Sequence, residues 1–132
     1  MQSFRVFVPG HPAPQGSKTA FVRGGKAVLV EANRGHKSWR DEVINRARLQ
    51  MVGLEQFKGP LKIELLFELH RGSTVDRQYP NVKPDLDKLS RTIFDALELA
   101  GVYRNDSQII ELHARKLYGT TRTGVTIHLD YV

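Results

Sequence analysis

The chain contains no cysteine. That removes disulfides, thiolate metal sites and cysteine nucleophiles together, so any metal must sit on oxygen or imidazole. The five histidines show no HExxH or other paired-ligand spacing, so none is assigned to metal or acid–base work. No glycine-rich nucleotide-binding loop is present. Apolar runs are short, none approaching the roughly 20 residues that span a bilayer, and the first residues lack a basic stretch leading into an apolar segment. The chain therefore reads as cytoplasmic, with no membrane partner. Acid is also in the minority: fourteen Asp and Glu against twenty Lys and Arg give a formal charge of +6 and a pI near 9.8. A basic balance suits a nucleic-acid partner, but many basic domains bind none. Hydrophobic residues at 40% and charged residues at 26% are ordinary for a folded protein, and 132 residues fit one domain spanning 1–132.

Phe4-Arg5-Val6-Phe7-Val8 is β-branched and aromatic and stops at Pro9-Gly10, the pattern of a first strand ended by a turn. A proline-rich loop, His11 to Lys18, follows, and residues 20–30 can fold as a hairpin about Gly24-Gly25. From Gly35 onward Trp39, Val43, Ile44, Ala47 and Met51 recur at helical spacing, and Gly53 can end that helix. Residues 61–69 alternate strictly, with Leu61, Ile63, Leu65, Phe67 and Leu69 on one face, as a half-buried strand does. A long loop with no apolar period runs over 71–84. A second helix is expected over 85–100, with Leu86, Leu89, Ile93, Ala96, Leu97 and Ala100 as its apolar stripe, Asp85 as N-cap and Gly101 as terminator. Residues 109–118 and 125–131 read as a closing hairpin across the turn-rich stretch 119–124. This β-α-β-α-β-β order implies a single α+β domain with two helices packed on a mixed sheet.

The informative feature is Lys83-Pro84-Asp85-Leu86-Asp87-Lys88, two carboxylates two residues apart where a loop enters a helix in an otherwise basic chain. Hard carboxylate oxygens suit Mg²⁺, which typically takes one or two protein carboxylates and fills its shell with water and substrate phosphate oxygens. A metal-assisted attack on a phosphodiester would use aspartates to hold the ion, while lysines and arginines hold the polyanion. Each aspartate also has a plain structural reading. Asp85 can cap the helix, Asp87 can pair with Arg91 four residues on, Asp95 can pair with Arg91, and Asp106 can serve the turn between Asn105 and Ser107. Chain length constrains any union of Asp106 with the pair. The helix from Asp87 to Ala100 advances about 20 Å, and six more residues return at most about 20 Å. Residues 101–106 must therefore run extended and antiparallel beside the helix, or a neighbouring subunit must complete the site.

Asp85-Leu86-Asp87-Lys88-Leu89, Phe94-Asp95-Ala96-Leu97, Gly101-Val102 and Asn105-Asp106-Ser107-Gln108-Ile109 together resemble the RusA family of Holliday junction resolvases. The likeness covers nearly the whole chain and is sharpest over 84–109. It implies a homodimer that cuts four-way DNA junctions with Mg²⁺, for which Mn²⁺ could substitute, and it implies Asp85, Asp87 and Asp106 as the metal-holding catalytic aspartates. It further implies cleavage leaving a 5′-phosphate and a 3′-hydroxyl, in a bacterial cytoplasm or in that of a phage-infected host. Two positions depart from the family pattern. Lys88 stands where an Asn is usual, and Arg91 where a functional lysine is usual. Arginine keeps the charge but does not readily release a proton, so Arg91 suits an electrostatic clamp better than a general acid.

Candidate DNA contacts are Lys18, Lys83, Lys88 and Arg104, with Arg23, Lys26, Arg71 and Arg77 as further basic positions. The rival from another class is a non-catalytic branched-DNA-binding protein whose aspartates only cap and pair. A small general nuclease or phosphatase is a second rival, one that would not prefer branches.

Overall fold

Alternation in the strand Leu61–Leu69 sets the layering of the molecule, because every second side chain, from Leu61 to Leu69, is buried and the residues between them are not. The protein, obtained as a computed structural model, is described at residues 1–15 and 35–132, and between these by the backbone of two paired strands. Its elements are β1 (Phe4–Pro9), β2 (Lys18–Arg23), β3 (Lys26–Glu31), α1 (His36–Gln50), β4 (Leu61–Leu69), α2 (Leu86–Leu99), a 3-10 turn (Asp106–Gln108), β5 (Ile109–Tyr118) and β6 (Gly124–Tyr131). Four strands form one mixed sheet in the order β1-β6-β4-β5. β4 and β5 are parallel, and α2 is the crossover that parallel neighbours require. β6 runs antiparallel to both β1 and β4. β2 and β3 pair separately from Lys18↔Glu31 to Arg23↔Lys26, as the expected hairpin requires, with its Gly24-Gly25 link outside the described residues.

Both helices lie on one face of the sheet. Trp39, Val43 and Ala47 of α1 and Leu89, Ile93, Ala96 and Leu97 of α2 share a single buried cluster with Phe4, Ile63, Phe67, Ile127 and Leu129 of the strands. The expected α+β architecture, two helices on a mixed sheet, is the one observed. Among the described residues no helix is long and apolar enough to cross a membrane.

The expected hairpin between the last two strands is not formed. β5 and β6 have the anticipated extents, but β4 lies between them. β4 carries five core side chains and is paired on both edges, whereas a β5–β6 hairpin would leave it short of a neighbour. Residues 119–123 need cross only about 10 Å to step over one strand, well within five residues' reach. The Gly119 amide donates to the Leu69 carbonyl at 2.8 Å, tying this link across the end of β4.

β6 enters the sheet at Gly124, whose φ is +148° and whose missing Cβ would lie 2.1 Å from the Val8 carbonyl oxygen and 2.8 Å from the Phe7 ring. Gly124→Ala is therefore expected to cost about 2–4 kcal/mol, combining backbone strain and overpacking, and to lower Tm by about 10 °C. Gly53→Ala is the control, at φ +84° with nothing within 4 Å, and should cost only about 1 kcal/mol in chemical denaturation.

Candidate active site

Loop 70–84 delivers the chain to the start of α2, where it is held from the sheet: Lys116 Nζ on β5 donates to the Val82 carbonyl at 2.7 Å and the Pro84 carbonyl at 2.8 Å. Asp85 occupies the N-cap position with extended backbone, yet its side chain makes no capping hydrogen bond. It lies 3.7 Å from Lys88 Nζ instead. Asp87, in the first turn, and Arg91 are exposed and Asp95 is half-buried, and among the described residues none of the three side chains makes a hydrogen bond or ion pair. The pairs Asp87–Arg91 and Arg91–Asp95, which helical spacing permits, are not made. Among the described residues, three charged groups on one helix thus have no contacting ion-pair partner.

The proline-rich loop after β1 closes one side. Gln15 N–H donates to the Lys88 carbonyl at 3.1 Å, and the buried Thr92 hydroxyl donates to the Ala13 carbonyl at 3.1 Å. These bonds seat Gln15 against α2 with its side-chain oxygen buried and unpartnered.

The other side is built by the chain's return. Gly101, at φ +79°, ends α2, and the segment then runs back along it. Val102 N–H donates to the Leu97 carbonyl at 3.0 Å, and the Tyr103 phenol donates to the Phe94 carbonyl at 2.7 Å. Asp106 N–H donates to Glu98 Oε1 at 2.8 Å. The turn itself is capped by its neighbours, since Asn105 Oδ1 accepts from Ser107 N–H at 2.8 Å and Gln108 Oε1 accepts from Asn105 N–H at 3.1 Å. The Asp106 carboxylate has no share in that turn bonding. The chain does return antiparallel beside α2 within one subunit, through turns and bends and as far as Glu98.

These elements enclose an open cavity of about 480 Å³. Asp87, Asp95 and Asp106 line it with Arg91, Ser90 and Gln15, and Phe94 and Leu112 supply apolar wall. Asp85 is not part of this lining. Asp87 and Asp95 are eight residues apart, about 12 Å along the helix axis, and Asp106 joins them on the lining from the returning segment. Among the described residues no three carboxylates or imidazoles converge as a closed metal cage.

Burial, then the neighbouring Asp106 and Glu98, raise the Asp95 carboxyl above its ordinary range, against smaller opposing effects of Arg40 and His36. The same carboxylates add to burial in pushing the Tyr103 phenol upward. Unsatisfied hard oxygens, mutual repulsion between carboxylates and an orphaned amide oxygen on the cavity wall make a donor set that fits a hydrated divalent cation. Asp95 is the lining residue that spacing alone misplaced, because its distance from Arg91 looked like an ordinary helix pair. The signal for it was Asp106's return path, which runs beside that part of α2.

Of the basic positions, Lys83 and Arg104 are exposed, and Lys88 faces Asp85. Arg71 stacks over the Tyr118 ring with its guanidinium carbon 5.6 Å from the ring centre. The side chains of Lys18, Arg23 and Lys26 lie outside the described residues.

A carboxyl held above its unfolded range favours the fold below about its unfolded value of 3.8, a contribution lost as pH rises through the folded value. Asp95→Asn should therefore raise Tm by about 1–4 °C at pH 7 in chelator. The gain should vanish near pH 3, as read by differential scanning calorimetry.

The family model described as endodeoxyribonuclease RusA matches residues 9–130. A crossover junction endodeoxyribonuclease RusA of Aquifex aeolicus (strain VF5) is 28% identical over 130 residues, covering 98% of this chain and 92% of that protein. With a family match that extends from the end of β1 to the end of β6 and takes in both walls of the acidic cavity, this chain belongs to the RusA endodeoxyribonuclease family.

Proposed function

We propose that the protein is a Mg²⁺-dependent endodeoxyribonuclease that resolves four-way DNA junctions by paired nicks, in recombination and repair. The observation that carries the reading is that Asp87, Asp95 and Asp106 line one open cavity with Arg91, and that among the described residues none of the four side chains is taken up by a hydrogen bond or ion pair. Asp87 and Asp106 would hold the ion, with Asp85 at the entrance of α2 and Mn²⁺ an acceptable substitute. The bound cation supplies phosphate polarisation and a more acidic attacking water. Arg91 stabilises charge on the phosphate as a fixed guanidinium and does not act as a proton donor. Lys83, Lys88 and Arg104 hold the DNA backbone, as Lys18 does from the start of β2. Products carry a 5′-phosphate and a 3′-hydroxyl.

A four-way junction has near two-fold symmetry, so two cuts on opposed strands are met most simply by a C₂ homodimer with one cavity per subunit. Phosphate contacts make binding fall steeply with salt while leaving the choice of cut site to other groups.

Asp87→Asn is expected to bind a synthetic four-way junction within about threefold of wild type while Mg²⁺-dependent cutting falls by about 10³-fold or more, a loss comparable to removing a principal electrostatic group from an active site. Cleavage gels run beside linear duplex check both points. Cutting by the variant at the wild-type rate would refute the site. Equal cutting of linear duplex would favour a general nuclease, and binding with no cutting by wild type would favour a branched-DNA-binding protein.

A further inference from the structure

A second cavity, of about 240 Å³, is lined in part by the same proline-rich loop that reaches the acidic one. It sits at the carboxyl ends of the two parallel strands, with Leu69 and His70 following from β4 and Tyr118 closing β5. Crevices outside the carboxyl ends of parallel strands are the usual binding place in α/β sheets. Its walls are apolar, formed chiefly by Leu69, Val75, Pro80, Val82 and the Tyr118 ring. Its rim is polar and basic, formed by His11, His70, Arg77 and Lys83, with the two imidazoles edge to face at 6.1 Å.

Three interactions hold this cavity open. Lys116 fixes the carbonyls of Val82 and Pro84, Arg71 Nε donates to the Val75 carbonyl at 3.1 Å, and the Arg71 guanidinium covers the Tyr118 ring. A preformed pocket of this kind spares its ligand the ordering cost of building it. Phosphate alone has no use for apolar walls. A nucleobase has two apolar faces and a polar edge, which is the division between wall and rim here. The volume lies just under the roughly 300–1,000 Å³ of pockets for drug-sized ligands, which suits one base and not two.

The two cavities are near neighbours. His11 and Pro12 line this one and Gln15 the acidic one, so one loop walls both. Pro84 lines the pocket and Asp87 the acidic cavity, three residues apart and so at most about 11 Å, or about three base steps along a strand.

We infer that this pocket takes one unstacked DNA base within three nucleotides of the cut phosphodiester, and that it sets which sequence is cut. The inference rests on the proposed nuclease reading. At a branch point a base already lacks part of its stacking, which lowers the cost of turning it out.

The test places 2-aminopurine singly at each position within five nucleotides of the crossover of a synthetic junction, bound in chelator so that it stays uncut. One position within three nucleotides of the cut is expected to brighten at least threefold on binding. Val82→Trp, at an exposed position of the pocket wall, fills the space. It should abolish that brightening and even out the rates at preferred and non-preferred sites while Mg²⁺-dependent cutting persists, with circular dichroism checking the fold. A bound and cut junction with no brightening at any position overturns the pocket and leaves the nuclease reading intact, as does unchanged site preference in a folded Val82→Trp. Failure of wild type to bind or cut the junction overturns both.

Discussion

The site depends on the chain turning back along α2 as soon as that helix ends. Gly101 allows the reversal, Val102 and Tyr103 bond to the Leu97 and Phe94 carbonyls, and Asp106 is thereby set beside Asp95 and Glu98. Tyr103 is fully buried, so this return is anchored in the core and not laid over the surface. Its isolated bridge to Phe57 ties the same segment to the stretch before β4. Like charges are held together because packing leaves them no other position. That repulsion weakens the fold locally, and an incoming divalent cation would relieve it.

One helix organises both halves of the proposed chemistry. The apolar stripe of α2 locks it to the sheet and to α1, while its opposite face carries Asp87, Arg91 and Asp95 into the acidic cavity. Its entry, fixed by Lys116 beneath Val82 and Pro84, borders the second pocket. Lys116 thus acts as a spacer between sheet and loop, so a basic residue in a basic chain has a structural duty and not a DNA-facing one. The Gln15 and Thr92 hydrogen bonds do the same for the proline-rich loop, which lines both cavities.

Much of this was legible in the sequence because the elements are periodic. The alternation of Leu61 to Leu69 and the stripe from Leu86 to Ala100 give β4 and α2 nearly residue by residue. Strand pairing was less legible. Adjacent strands joined by a turn-rich link favour a hairpin on local grounds, and only the need of β4 for neighbours on both edges places it between β5 and β6. At the site, spacing could not separate a catalytic aspartate from a capping one. The structure removes the plain structural readings of two of them: Asn105 and Gln108 take the turn bonds beside Asp106, and Asp85 stands at the N-cap without capping. Asp95 was hidden because an Asp four residues after an Arg on a helix is ordinarily a partner for it.

The central claim is that Asp87 and Asp106, brought from two segments to one cavity, act as a single cation-holding centre. Electron paramagnetic resonance of Mn²⁺ titrated into the DNA-free protein tests it directly, because free Mn²⁺ gives a strong signal that is lost on binding. Wild type should quench the signal saturably, and Asp87→Asn and Asp106→Asn should each weaken binding by about tenfold or more, within the range seen when groups supporting a metal site are removed. Asp41→Asn, on α1 where Asp41 pairs with Lys37 away from the acidic cavity, should leave binding as in wild type. Binding unchanged in both site variants, or lost in only one of them, would contradict a shared centre.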